Sequence, residues 1–190
     1  MRKLIASINM SLDGFCDHTA MIPDDELLQH FNDLFRRSDT ILYGRVTYKL
    51  MEDAWPAVLK NPSGNSSFDE FAVLIDRISK IVFSHTLKSV EWNRTTLAAE
   101  GLREMALKLK QQSGGDILAG SRSIIMALMK LDLIDEYQLC VQPSVLGKGV
   151  PLFCDIQDRK DLRLLRTRIL SSGIVVLHYE PKQEGGRPGA

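Results

Sequence analysis

Residues 114–125 read GGDILAGSRSII, and the reading of the fold starts there. Asp116-Ile117-Leu118-Ala119 is a short apolar run of β type, closed by Gly120-Ser121. From Arg122 onward the apolar residues recur at helical spacing. A strand therefore passes straight into a helix through two small residues, a turn that lets backbone approach a ligand closely. Ser121 is a candidate N-cap, and the free N–H groups and dipole of the following helix suit a phosphate. One glycine-rich turn is a weak signal and serves equally as a plain strand-to-helix junction, so the rest of the chain has to decide.

Upstream, the same alternation repeats. Residues 4–10 read as a buried strand, broken by the turn Ser11-Leu12-Asp13-Gly14. Residues 15–22 read as a loop. Pro23-Asp24-Asp25-Glu26 then opens a helix, with proline and acids in its first turn, and Leu27, Leu28, Phe31, Leu34 and Phe35 mark its buried face. Residues 40–43 form a second strand, ended by Gly44 and followed by a helix from Arg45. NPSGNSS, residues 61–67, is the stretch expected to be loose or variable. Residues 68–78 resume helical spacing, and residues 80–84 give a third strand. Residues 90–92 and 95–97 are short extended pieces. Leu102, Met105, Ala106 and Leu109 mark a helix that stops at Gly114.

After Asp135 the pattern changes. Residues 137–141, 162–169 and 174–179 read as antiparallel strands joined by glycine turns. The expectation is an α/β fold with a mostly parallel central sheet between helical layers, closed by antiparallel C-terminal strands. Residues 1–180 make one domain, and residues 181–190, polar and rich in Gly and Pro, a flexible tail. In such sheets ligands bind at the carboxyl ends of the strands, which puts Gly44, Ser84 and Gly120 on one rim.

Composition removes several classes of function. The chain has 190 residues, with 24 Lys plus Arg against 24 Asp plus Glu, a net charge of zero. That balance gives no electrostatic case for nucleic acid or an anionic membrane. The three cysteines, Cys16, Cys140 and Cys154, are widely spaced, which favours a reduced, cytoplasmic protein without a disulfide framework or zinc site. No apolar stretch reaches the length of a membrane span. His178-Tyr179-Glu180 gives the H-x-E of zinc deaminases, but no P-C-x-x-C follows it. No metal is expected.

The chain resembles the dihydrofolate reductase superfamily, and within it the C-terminal reductase domain of the riboflavin-biosynthesis deaminase/reductase. The likeness is carried in order by Ser11-Leu12-Asp13-Gly14, by Leu42-Tyr43-Gly44-Arg45-Val46-Thr47-Tyr48 and by Val82-Phe83-Ser84-His85-Thr86-Leu87. It continues through Ile117-Leu118-Ala119-Gly120-Ser121 and Ile134-Asp135-Glu136-Tyr137 to the run from Pro143 through Leu146-Gly147-Lys148-Gly149 to Phe153. It spans roughly residues 2–180. The fold it implies is dihydrofolate reductase-like, three layers of α/β/α.

The resemblance implies NADPH as cofactor. Gly44, Arg45, Val46 and Thr47 would form a first phosphate turn, in which a guanidinium and a helix N-terminus face an anion. Ser84, His85 and Thr86 would meet the adenosine 2′-phosphate, with the half-titrating His85 where a stronger base is usual. Ala119, Gly120, Ser121, Arg122, Ser123 and Ile124 would form the second pyrophosphate turn. Ala6 would offer backbone to the carboxamide, and Asp13 and Gly14 begin the loop that closes over nicotinamide. Asp13 and Asp25 are the candidate catalytic carboxylates, since reduction of C=N needs a proton beside the hydride; Asp25 also suits any helix start. Tyr48 and Trp55 are candidates for the substrate side or for packing.

The implied reaction reduces a small heterocyclic or imine substrate, the best-defined instance being 5-amino-6-(5-phosphoribosylamino)uracil. A dihydrofolate or pterin reductase is the enzymatic alternative, and a non-catalytic nucleotide-binding or interaction module the alternative of another class. The resemblance also implies a homodimer.

Overall fold

The computed structural model describes residues 1–18 and 24–182. Pro23, residues 19–22 of the expected loop and residues 183–190 of the expected tail lie outside that range. The elements are β1 (Leu4–Ser11), α1 (Asp25–Arg36), β2 (Ser38–Gly44), α2 (Arg45–Lys60), α3 (Ser66–Arg77), β3 (Ser79–Phe83) and β4 (Thr95–Leu97). Then come α4 (Leu102–Gln111), β5 (Asp116–Ala119), α5 (Arg122–Lys130), β6 (Glu136–Gln142), β7 (Leu162–Ile169) and β8 (Val175–Pro181). The eight strands form one sheet in the order β4-β3-β2-β5-β1-β6-β8-β7.

Side-chain alternation along the strands builds a core on each face. Leu4, Ala6, Leu42, Ile117 and Ala119 pack with Ala106 of α4 and Ile125 and Leu128 of α5. Ile5, Ile41, Tyr43 and Leu118 point the other way, against Leu34 and Phe35 of α1, Tyr48 of α2 and Phe71 and Ile75 of α3. The expected three layers are therefore present. Helix α1 starts as its sequence demands: Asp24 Oδ1 accepts from the Leu27 N–H at 2.6 Å, with Asp25 and Glu26 in the first turn.

Three expectations change. Strand β6 runs parallel to β1, from Ile5↔Glu136 to Ser11↔Gln142, and is antiparallel only to β8. The α5 crossover from β5 to β6 passes over β1 and returns the chain in the same direction, so only β8 runs against the rest, and β7, antiparallel to β8, runs with β6 again. Residues 61–67 are not loose. Ser66 and Ser67 belong to α3, Asn65 Oδ1 caps it by accepting from Phe68 N–H at 2.9 Å, and Asp69 accepts from Ser63 N–H at 2.7 Å and Gly64 N–H at 2.9 Å. Residues 90–92 make no strand; Trp92 is buried, its indole N–H donating to Asp76 at 2.9 Å.

Among the described residues no helix is long and apolar enough to cross a membrane.

Candidate active site

Strands β3, β2 and β5 are adjacent and parallel, so the turns after Phe83, Gly44 and Ala119 leave the sheet at one edge. Gly44 pairs in register with Phe83, and Leu42 with Ala119. The Gly44 N–H donates to Ser121 Oγ at 2.9 Å, locking two turns far apart in sequence. A Cβ on Gly44 would lie 2.7 Å from Ser123 Oγ, so a side chain there would crowd the second turn.

Ser121 stands at the N-cap position of α5 without capping it, because its hydroxyl is taken by Gly44. Helix α2, behind Gly44, also has no side-chain cap, and neither helix carries an acid in its first turn. The contrast is with α1 and α3, which have Asp24 and Asn65 as caps and acids behind them. Two helix N-termini, stripped of their own anions, thus stand side by side. Arg45 and Val46 are exposed and Thr47 half-buried at the start of α2. Arg122 turns aside: its Nε donates to the Pro151 carbonyl at 2.9 Å and its Nη2 to Cys154 Sγ, so it holds the 150–154 loop.

Beside this pair the sheet is notched. Strand β5 stays with β1 only over Leu4↔Ile117, Ile5↔Leu118 and Ala6↔Ala119, whereas β6 follows β1 to Ser11. The chain leaves β1 towards α1 on one face and leaves β5 towards α5 on the other. This is the crevice at which open α/β sheets take ligands. Ala6, wholly buried, is the last residue before the notch.

The far wall is made by the loops after β1 and β6, which are laced together. Leu12 N–H donates to Ser144 O, Cys16 N–H to Val150 O and Leu152 N–H to Gly14 O, each at 2.8 Å. Gly14 takes φ +86°, a turn that glycine makes without strain. Asp13 accepts from Ser11 Oγ at 2.6 Å, Gly147 N–H at 2.7 Å and Leu146 N–H at 3.1 Å. The Ser11 hydroxyl and the Gly147 amide hold its carboxyl down at about 2. These bonds make Asp13 a tie between the loops after β1 and β6.

Asp25 is exposed at the start of α1 and accepts from Asn65 Nδ2 at 2.8 Å. It lines a depression of about 440 Å3 with Asp24, Leu28, Ser63, Asn65 and Phe68. Tyr48 has no exposed surface; its hydroxyl meets Glu52 and accepts from the Trp92 N–H at 3.5 Å. Trp55 packs on Phe71 and Phe68, with ring centroids 4.4 and 4.9 Å away. Tyr48 is closed over by α3 and Trp92 and so packs in the core, while Trp55 is half-buried beside it. Ser84 Oγ accepts from the N–H groups of Thr86 at 3.1 Å and Leu87 at 3.0 Å, leaving His85 and Thr86 exposed on a tight turn.

Buried polar residues on β6 and β8 escaped the sequence reading. Glu136, Gln138 and His178 lie on the α1 face of the sheet beside His30. The signal was there in the alternation Glu136-Tyr137-Gln138-Leu139, with a polar residue at every second place of an otherwise apolar strand. Among the described residues no group of His, Cys, Asp and Glu has the makings of a metal site.

The sheet order, the notch and the paired helix starts define a dihydrofolate reductase-like α/β fold. The dihydrofolate reductase of Enterococcus faecalis, solved with NADP(H), matches 95% of this chain and 97% of its own, with a TM-score of 0.62 and 13% identity. The chain belongs to the RibD C-terminal domain family, whose model matches residues 2–176. YyaP of Bacillus subtilis (strain 168), an uncharacterized protein, is 34% identical over 186 residues, 94% of each chain. RibD of Acinetobacter baumannii aligns with 96% of this chain and 59% of its own, with a TM-score of 0.69 and 16% identity.

Proposed function

We propose that the chain is an NADPH-dependent reductase that delivers hydride to a small heterocyclic or imine substrate, with the ribosylamino-pyrimidine of the riboflavin pathway as the first candidate. The observation that carries this reading is the pair of helix starts at Gly44 and Ser121, uncapped, free of acids and joined by one hydrogen bond. A dinucleotide pyrophosphate is the anion that two adjacent helix N-termini fit. The residues to hold it are Gly44 to Thr47 on one side and Gly120 to Ile124 on the other, with Arg122 acting through the 150–154 loop. Ser84 to Thr86 face the adenosine end, and the backbone of β1 beyond Ala6 faces the ring.

When bound, the nicotinamide supplies the hydride. The protein's part is to orient, to exclude water and to deliver a proton. Asp13 orients, by tying the loop after β1 to Leu146 and Gly147. Asp25, in its open depression, is the carboxylate able to exchange a proton with solvent and substrate. Three free thiols accord with a reduced, cytoplasmic setting. The outer strand β7 exposes Leu164, Leu165 and Ile169, a face suited to a homodimer; a monomer in light scattering at micromolar concentration would remove that part.

The test is fluorescence titration with NADPH, followed by turnover on pyrimidine and pterin substrates. Arg45→Glu places an acid at an exposed helix start, where it favours the helix and repels phosphate. The variant should keep its Tm and bind NADPH about tenfold more weakly or worse. Equal binding by both proteins would end the reading. Tight binding without oxidation of NADPH on any substrate would select the nucleotide-binding module, and turnover of dihydrofolate alone the folate reductase.

A further inference from the structure

A second cleft, of about 260 Å3, opens on the α1 face under β6, β8 and β7. Its walls include His30 of α1 and Arg37 just after it, Gln138 of β6, His178 of β8, and Arg166 and Arg168 of β7. It lies towards the start of β6, where Gln138 pairs with His178 and His178 with Arg166, away from the rim at the strands' carboxyl ends. It therefore shares no residue with the dinucleotide site.

Three features mark it as built to receive something. Arg166 and Arg168 have no ion-pair partner among the described residues, and Arg37 has only a long one, 3.6 Å from Asp116. His30 is more than nine-tenths buried and its Nε2 has no hydrogen-bond partner. Gln138 is wholly buried; its Nε2 donates to Glu136 Oε1 at 2.7 Å, which leaves Oε1 an acceptor with no donor. Ser7, the register partner of Gln138 on the same face, lies behind the cleft wall with its Oγ also unpartnered. Orphaned buried polar atoms at a cleft lined by guanidinium groups are paired once a ligand arrives.

We propose that this cleft binds a phosphate group, either inorganic or carried as a monoester on a small molecule. The guanidinium groups supply forked donors to the anionic oxygens. His30, in its Nε2–H form, supplies a further donor. The protonated oxygen of hydrogen phosphate is the donor that Gln138 Oε1 lacks, and sulfate has none to offer at neutral pH. The charge balance agrees. Burial first, then His178, Arg168, Arg37 and Arg166, push the His30 imidazole down to about 4, while the acids facing these groups are engaged elsewhere: Asp33, in the cleft wall, by Arg36, Glu136 by Gln138 and His178, and Glu26, which also feels Arg168, by the Ser171 N–H. An anion is what this positive field lacks, and its arrival would raise the proton affinity of His30.

The test is an NMR titration of the histidine side chains of the full chain with inorganic phosphate, with ionic strength held by NaCl. His30 and His178 should shift along a saturable curve. Arg166→Gln with Arg168→Gln, both on exposed positions of β7, should raise the half-saturation point about tenfold or more while the Tm holds. Sulfate should need about tenfold more than phosphate. A second arm with ribose 5-phosphate separates the sources: tighter binding selects a monoester, equal binding free phosphate. A linear drift matched by NaCl, an unaltered curve in the double variant, or sulfate bound as tightly as phosphate would overturn the proposal. So would a histidine response that follows protein concentration instead of phosphate, which would give this face to a second copy of the chain.

Discussion

The N–H of Gly44 and the Oγ of Ser121 meet at 2.9 Å, and both are buried. This bond holds two helix starts in step, although neither is capped by its own side chain. Ser121→Ala removes the acceptor and leaves a buried N–H unpaired, at a cost of about 1–3 kcal/mol. Urea unfolding should show that loss, and NADPH titration a parallel weakening. A variant as stable as the parent would mean that the N–H finds another partner.

Gly115 sits against the turn that ends α1. A Cβ there would stand 2.6 Å from the Arg37 carbonyl oxygen and 3.2 Å from Asp39 N, both backbone atoms with little room to yield. Gly115→Ala should destabilise the protein by about 1–3 kcal/mol, read as a lowered urea midpoint. Gly147→Ala is the contrast: φ is +71° but nothing lies within 4 Å, so the cost there is conformational, about 1 kcal/mol.

Asp13 should lose its hold on the β6–β7 loop only in strong acid. Its carboxyl is held down to about 2 by Ser11 and Gly147, below its ordinary 3.8. A depressed acid contributes above its unfolded pKa and loses that contribution as pH falls through the folded one. The window is therefore pH 4 to 2. The amide signals of Leu146 and Gly147 should stay put from pH 7 to 4 and move below it. Asp13→Asn should show the moved signals already at pH 7, and a pH-independent spectrum in the parent would refute the tie.

Lys80 is a different linkage. Its ammonium is buried, donates to the carbonyls of Asp76, Ile78 and Asn93 at 3.0–3.1 Å and lies 4.3 Å from the Trp92 ring centroid. Burial pushes its pKa down from 10.5 to about 8. Between those values the unfolded chain binds more protons, so stability should rise with pH from about 8 to 10.5. Lys80→Met should abolish that rise and cost about 1–3 kcal/mol at pH 7, through the orphaned carbonyls. Unfolding curves at pH 7, 8.5 and 10 check both statements.

Local signals carried much of this architecture. Asp116–Ala119 is a strand with the bounds its four residues imply, and Asp24 and Gly44 stand at the helix starts where cap chemistry and the glycine put them. Three strand ends on one edge followed from the strand–helix alternation, since parallel strands point their carboxyl ends the same way. What stayed hidden depends on partners distant in sequence. The direction of β6 is decided by its pairing with β1, the hydroxyl of Ser121 by Gly44, and the burial of Tyr48 by Trp92 and α3. The tie that Asp13 makes to the loop after β6 has its donor in Gly147, 134 positions on. His30 and His178 were invisible as a pair because nothing local to either points to the other.

The four-residue length of β5 has a further meaning. Beyond Ala6, the main chain of β1 is left without a strand on that side, an opening in the middle of the sheet. A flat, amide-bearing group, were one to enter there, would meet peptide atoms, which every residue type possesses alike. Drift in the side chains of β1 over generations would then retune the neighbouring chamber while leaving the docking of that group untouched. One scaffold could thus change its clientele without relearning its grip.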